Sequence, residues 1–156
     1  MARRPSRPVT VAVSGINSVE NPGSGLGVIR SLMAAEPAPR SRSSRRPAGP
    51  YRWIGLAYDA MEPGLYLDDL VPTAYLLPYP SADREKYLSR LLDVCAAEKV
   101  AAIIPVFDSE LPHYINNRDR FEENGIRFLL PTRERFDRVR KERLPAVSSI
   151  SWRRNS

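Results

Sequence analysis

The chain has 156 residues, which is enough for one domain and leaves little room for a second. Its single cysteine, Cys95, excludes a disulfide framework and a cysteine-based zinc site, and it fits a reducing compartment. No apolar run approaches the roughly 20 residues that a membrane-spanning helix needs. We therefore expect a cytoplasmic protein with no membrane partner.

The formal net charge of +6 is unevenly distributed along the chain. Residues 51–132 carry eight basic and thirteen acidic side chains, whereas residues 1–50 and 133–156 each carry eight basic side chains against two and three acidic ones. The expected folded body is thus acidic, while a nucleic-acid-binding domain usually carries its basic patch on the folded face. We expect no nucleic-acid partner.

Short apolar runs alternate with segments of helical spacing. The runs predict five strands, at residues 9–13, 53–57, 73–77, 101–107 and 126–130. The helical segments cover residues 26–33, 81–99, 111–124 and 133–143, with Ser81 as the N-cap of the second and Gly125 just past the third. This alternation predicts an α/β, Rossmann-like three-layer domain with a mainly parallel five-stranded sheet.

Three stretches lack any packing pattern. Residues 1–8 predict a basic disordered tail, and residues 37–50, rich in Pro, Ser and Arg, predict a flexible insertion. An anion-binding or phosphorylated loop is the alternative for that insertion. One domain is expected over 9–144, followed by an irregular segment over 145–156 that fits a truncated or frameshifted reading frame, or the end of a short stand-alone domain.

Ligands of parallel sheets bind beyond the carboxyl ends of the strands, so the residues after each strand are the candidates. Gly23, Gly25 and Gly27 follow the first strand and lead into a helix, whose amides suit a phosphate or a carboxylate. Their spacing is not the dinucleotide fingerprint GxGxxG, and a plain strand-to-helix turn explains them equally well.

Acidic residues follow the second and fourth strands. Asp59 can hold ribose hydroxyls or simply cap its loop, and Asp108 and Glu110 can bind Mg²⁺ or an amine. A helix cap at Asp108 or Ser109 is the structural alternative for the second pair. His113 has no nucleophile nearby and is interpreted as surface or packing, so the sequence predicts no catalytic residue and no metal site.

Five segments occur in a characteristic order. They are NPGSGLG (21–27), IGLAYDAMEPGLY (54–66), VPTAYLLPYPS (71–81), IIPVFDSEL (103–111) and GIRFLLPT (125–132). Together they resemble the N-terminal pre-ATP-grasp domain of ATP-grasp carboxylate–amine ligases, on the side of carbamoyl-phosphate synthase-like and biotin carboxylase-like proteins. The resemblance covers residues 9–144.

In that family, the strand-end loops form one wall of the substrate site. The resemblance therefore implies that seven residues bind a small-molecule carboxylate substrate: Asn21, Gly23, Gly25, Gly27, Asp59, Asp108 and Glu110. It also implies that Lys141 contacts the nucleotide, although one more charge on a solvated helix is an equal alternative. ATP and Mg²⁺ serve the intact family, and we expect neither to be bound tightly by this chain.

The functional expectation is the substrate-side domain of an ATP-dependent carboxylate–amine or carboxyl ligase. The sequence contains no ATP-grasp fold, so that domain is its expected partner and the chain alone is expected to be inactive. A stand-alone module that binds a nucleotide or an acidic metabolite is the alternative. A nicotinamide-dependent oxidoreductase is disfavoured by the glycine spacing, and Tyr51, Tyr58 and Tyr66 have no lysine four residues on.

Overall fold

The computed structural model describes residues 8–17, 23–34, 50–128 and 130–142. The strands are β1 (Val9–Ser14), β2 (Tyr51–Ala57), β3 (Ala74–Leu76) and β4 (Val100–Ile104). The helices are α1 (Ser24–Ala34), α2 (Arg84–Glu98), α3 (Leu111–Asn116), α4 (Arg118–Glu123) and α5 (Arg133–Glu142), with a 3₁₀ turn over Pro63–Tyr66. The predicted tail, insertion and C-terminal segment lie outside the described residues, apart from residues 8 and 50.

The strands form a parallel sheet in the order β3-β2-β1-β4. β1 is central, so Val11 pairs with Trp53 on one side and with Ala102 on the other. Two separate apolar clusters cover the faces, one built with α1 and the other with α2, α3 and α4. The predicted α/β class with a parallel sheet between helical layers is confirmed.

The described part of the sheet has four strands, so the prediction of a fifth strand is wrong. Around Arg127 there is one isolated parallel bridge to Ala102, with Arg127 N–H donating to the Ala101 oxygen at 2.9 Å. The Phe128 ring packs edge-on against Phe121, with centroids 5.6 Å apart. Side-chain packing onto α4, more than a strand ladder, holds this segment, and sequence periodicity does not distinguish the two.

Two helix boundaries also differ from the prediction. Asp83, not Ser81, is the N-cap of α2, and its Oδ1 accepts from Lys86 N–H at 3.0 Å. The helix predicted over 111–124 divides into α3 and α4 at Asn117, whose side-chain amide donates to the His113 carbonyl oxygen at 2.7 Å. Asparagine side chains compete with helical hydrogen bonds in this way. Gly125 has φ +72°, the left-handed conformation that favours glycine just past a helix end.

Within the described ranges, no helix is long and apolar enough to cross a membrane.

Candidate functional site

Three chain segments meet at the carboxyl ends of the strands. Ser14 ends β1, Tyr58 follows β2, and Glu110 lies six residues after β4 with 1% of its surface exposed. Glu110 Oε2 accepts a hydrogen bond from Ser14 Oγ at 2.6 Å, and Glu110 Oε1 accepts one from the Tyr58 hydroxyl. Ser14 Oγ itself accepts from Val106 N–H at 3.1 Å. This buried network ties the three strand ends together.

Burial governs the protonation of this network. It raises the pKa of Glu110 above its ordinary value, and the hydrogen bonds from Ser14 and Tyr58 oppose that shift. Burial and the neighbouring Glu110 carboxyl raise the pKa of Tyr58 far above its usual range. Tyr58 therefore remains a hydroxyl that donates to Glu110.

The loop after β2 buries a second carboxyl group, that of Glu62, which is 7% exposed. Its Oε1 accepts from the backbone N–H groups of Tyr58 at 2.7 Å and Asp59 at 3.2 Å. Its Oε2 is buried and has no hydrogen-bond partner among the described residues. Burial raises the pKa of Glu62, while the two backbone N–H groups lower it.

This loop is fixed against the loop that follows β1. Gly64 N–H donates to the Ile16 carbonyl oxygen at 3.0 Å, and a Cβ atom on Gly64 would lie 2.1 Å from that oxygen. Only glycine permits so close an approach. The position of Glu62, two residues earlier, is consequently set by a backbone contact between the two loops.

A cleft of about 290 Å³ opens at these strand ends. It is lined by Asn17, Tyr58, Glu62, Tyr79, Pro80, Ser81, Phe107, Ser109, Glu110 and His113. The lining thus combines two carboxyl groups with aromatic rings and contains no described lysine or arginine. Such a concave site with a few convergent polar groups is the usual form of a small-molecule site.

His113 contributes the second unpartnered polar atom of the cleft. Its Nδ1 is buried without a hydrogen-bond partner among the described residues, and its ring meets Tyr87 edge-on at 5.8 Å. Burial, with a smaller contribution from Arg84, lowers the pKa of His113. The imidazole is therefore neutral at pH 7, with one ring nitrogen able to accept a hydrogen bond.

Of the predicted acidic residues, Glu110 alone lines the cleft. Asp59 is exposed, and its Oδ1 accepts from Met61 N–H at 2.8 Å, which is the loop-capping alternative. Asp108 is exposed in the turn before α3. The helix begins at Leu111, and Glu110 occupies the N-cap position without a side-chain capping bond, so the capping alternative at Asp108 or Ser109 does not describe this turn.

The predicted glycines lie at the junction of β1 and α1. Gly25 N–H donates to the Gly15 carbonyl oxygen at 3.1 Å, and a Cβ atom on Gly25 would lie 2.3 Å from the Ser14 oxygen. Gly27 N–H donates to the Gly23 oxygen at 2.8 Å. These two amides are thus already used within the chain.

For two further residues that were predicted to contact a ligand, the structure describes no side-chain position. Asn21 lies outside the described residues, and Lys141 is described only as a backbone position of α5. The ligand roles of these two residues, of the glycines and of the acidic residues stay predictions.

Glu110 is the one lining residue that sequence reasoning predicted as a site residue, and Tyr58, Glu62, Phe107 and His113 are among those it missed. A usable signal existed for Glu62 and His113. Glu62 follows Asp59 by three residues after β2, and His113 follows Glu110 by three, about one helical turn. Among the described residues, no group of three or more His, Cys, Asp or Glu side chains could hold a metal ion.

A parallel sheet with a cleft at the carboxyl ends of its strands defines a Rossmann-like α/β domain. Residues 62–129 match the family described as PylC-like, N-terminal domain, which is a family of pre-ATP-grasp N-terminal domains of ATP-grasp ligases. The match begins at Glu62 and includes Glu110 and His113, and it confirms the resemblance found in the sequence. No curated protein matches the chain.

Proposed function

We propose that the chain is the N-terminal, substrate-side domain of an ATP-dependent carboxylate–amine or carboxyl ligase of the ATP-grasp superfamily, acting in the cytoplasm. The observation that carries the proposal is the position of the cleft. It lies at the carboxyl ends of the strands, and eight of its ten lining residues, from Glu62 to His113, lie within the segment that matches the pre-ATP-grasp family. The cleft forms one wall of the substrate site.

In such a ligase, ATP converts a carboxylate into an acyl phosphate, which a nucleophile then captures. That chemistry needs cationic stabilisation of the transferred phosphoryl group, from basic side chains and Mg²⁺. The described lining supplies carboxyl groups and no lysine or arginine, so it does not fit Mg·ATP. This domain binds and orients the substrate, and an ATP-grasp domain is the partner that binds nucleotide and performs the chemistry.

Titration of the 156-residue chain with Mg·ATP tests this division of labour. We expect no saturable binding at micromolar concentrations, and no difference between the wild type, Lys141→Ala and Arg135→Ala, a control substitution on the same helix. Micromolar binding that is lost in Lys141→Ala and kept in Arg135→Ala would contradict the proposal.

The coding DNA on both sides of this sequence provides the positive test. Translation in all frames is expected to find an ATP-grasp-length reading frame, continuous with this one or next to it. If none is present, the ligase proposal fails, and the chain is better interpreted as a stand-alone binding module. The lining favours a module for a ligand other than an acidic metabolite, because both charged groups in it are carboxyl groups.

A further inference from the structure

The cleft is lined by two residues that each have a buried polar atom without a hydrogen-bond partner in the described part of the chain. Glu62 Oε2 and His113 Nδ1 are each buried without a partner among the described residues, and both residues line the cleft. An unpaired buried polar group costs about 1–3 kcal/mol, and more when it is charged. Native proteins rarely leave such groups unpaired, so a ligand or a water molecule is expected to complete them.

The arrangement of Glu62 shows what kind of group is missing. Two backbone N–H groups occupy Oε1 and hold the carboxyl group in one orientation, while Oε2 is left as a hydrogen-bond acceptor. The neutral imidazole of His113 offers a second acceptor when its Nε2 carries the proton. Each of these two atoms therefore calls for a hydrogen-bond donor.

The charges and rings around the cleft favour a cation. Glu62 and Glu110 are its only charged lining residues among those described, and both disfavour an anion. Tyr58 stacks on Tyr79 with ring centroids 5.7 Å apart and lies 6.3 Å from Phe107, so aromatic rings form the walls. Aromatic faces attract organic cations.

The basic group that acts on His113 does not change this balance. Arg84 acts on His113 from outside the cleft, and its side chain is 60% exposed beside Glu85, with Nε 3.8 Å from the carboxyl oxygen. Its charge is screened by solvent and by that carboxylate.

We propose that this cleft binds the primary ammonium group of a small molecule, with Glu62 Oε2 and His113 Nδ1 each accepting one of its N–H bonds. The ammonium group has three donors, so one remains for Ser109, Glu110 or water. The inference deepens the proposed function and rests on it for one point, namely that the bound molecule is a ligase substrate. In that setting the cleft holds the amino end of the substrate.

The test is an NMR titration of the wild-type chain with three probes of equal length: butylammonium, butyrate and butanol. Butylammonium is expected to cause saturable shifts at Tyr58, Glu62 and His113, while butyrate and butanol cause none there. This comparison needs no variant. Stronger binding of butyrate, or shifts with butanol equal to those with butylammonium, would overturn the proposal.

A substitution then assigns the recognition to Glu62. Glu62→Gln keeps the size of the side chain and an oxygen for the two backbone N–H groups, and it removes the charge. We expect at least about tenfold weaker butylammonium binding, whereas Glu123→Gln, a change at an exposed glutamate of α4, leaves it unaltered. Equal affinity in wild type and Glu62→Gln would refute the assignment. If butylammonium causes no saturable shift at all, the two atoms bind water only and the proposal fails.

These outcomes are separable from those of the ligase proposal, because no nucleotide enters the titration. Ammonium binding together with the absence of an ATP-grasp reading frame would retain the site and reject the ligase. An ATP-grasp reading frame together with a cleft that ignores butylammonium would do the reverse.

Discussion

Ser14 and Glu110, 96 positions apart in the chain, are joined by a hydrogen bond of 2.6 Å between Ser14 Oγ and Glu110 Oε2. The other carboxyl oxygen of Glu110 accepts from Tyr58, which is 52 positions away. One buried side chain thus connects the ends of β1 and β2 with the loop that follows β4. Most of the cleft wall comes from these three segments, and Tyr79, Pro80 and Ser81 from the loop after β3 complete it.

Removal of the Glu110 carboxyl group is expected to be costly. Glu110→Ala leaves the hydroxyl groups of Ser14 and Tyr58 buried without their acceptor, and it opens a gap at the strand ends. We expect a loss of about 2–4 kcal/mol in the free energy of unfolding, measured by urea denaturation. Glu122→Ala is the control, since this exposed α4 residue pairs with Arg118 at 3.6 Å on the surface, and it should cost less than about 1 kcal/mol. Equal losses in the two variants would contradict the role of Glu110.

The pH dependence of the free energy of unfolding should reflect the ionisation of the Glu110 carboxyl group. Burial raises the pKa of Glu110 in the folded protein, so the folded state holds this proton more tightly than the unfolded chain does. The contribution of Glu110 to stability is complete below the unfolded pKa and is lost as the pH rises through the folded pKa. Glu110→Gln cannot ionise, and its free energy of unfolding should therefore fall less steeply over that window.

Glu98 provides a control, because its pKa is shifted on folding in the opposite direction to that of Glu110. The hydrogen bond from Tyr75 and the guanidinium group of Arg52, 2.5 Å from the carboxylate, lower the pKa of Glu98. Its contribution is present above the unfolded pKa and is lost as the pH falls through the folded pKa. Urea denaturation from about pH 3 to about pH 8 should show Glu98→Gln and Glu110→Gln departing from the wild type in opposite directions. Parallel curves for wild type and Glu110→Gln would show that the pKa of the Glu110 carboxyl group is not shifted on folding.

Two glycines of α1 should respond oppositely to alanine. A Cβ atom on Gly25 would lie 2.3 Å from the Ser14 oxygen, so Gly25→Ala must displace the helix from β1 and is expected to cost about 2 kcal/mol or more. Gly27 has open space around its Cα atom, and Gly27→Ala is expected to stabilise the helix by about 0.5–1 kcal/mol. Thermal unfolding compares both variants with the wild type. A stabilising Gly25→Ala would refute the close contact.

The single thiol should be inert in the folded protein. Cys95 is 2% exposed in the apolar cluster against α2, and burial raises the pKa of its thiol to about 12. Because the thiolate is the reactive form, we expect Ellman's reagent to react with the native protein only as fast as the protein opens. In denaturing guanidinium chloride, the same reaction should be complete within the time of mixing. Rapid labelling of the native protein would contradict the burial of Cys95.

Local pattern predicted most of the fold. β1 and the second half of β2 are apolar runs as expected, and α2 carries its apolar stripe of Leu88, Leu91 and Cys95 into the core. The pattern failed where side-chain contacts distant in sequence decided the outcome. Phe128 packs on α4 and limits the fifth strand to one bridge, and Asn117 divides a helix that periodicity predicts as continuous.

The candidate site was predictable only in its location. Strand-end reasoning pointed to Glu110, which lines the cleft, because the carboxyl ends of parallel strands meet at one edge. It interpreted His113 as surface or packing and assigned no role to Glu62, although Glu62 stands in the segment 54–66 that carries the family resemblance. The feature that distinguishes them is an unpartnered buried atom, and burial of single atoms depends on how separate loops pack together.

The sequence by itself determined the parallel α/β class and the edge of the sheet at which a ligand is expected, because apolar periodicity and the alternation of strands with helices are local properties of the chain. The family resemblance came separately, from the order of five motif segments. The tertiary structure alone decided which side chains converge there. Gly64 packs on Ile16 and thereby places Glu62, and Glu110 binds Ser14 and Tyr58 across three strand ends. The physical reason is that hydrogen bonding, burial and charge at a site depend on distances between segments far apart in the chain.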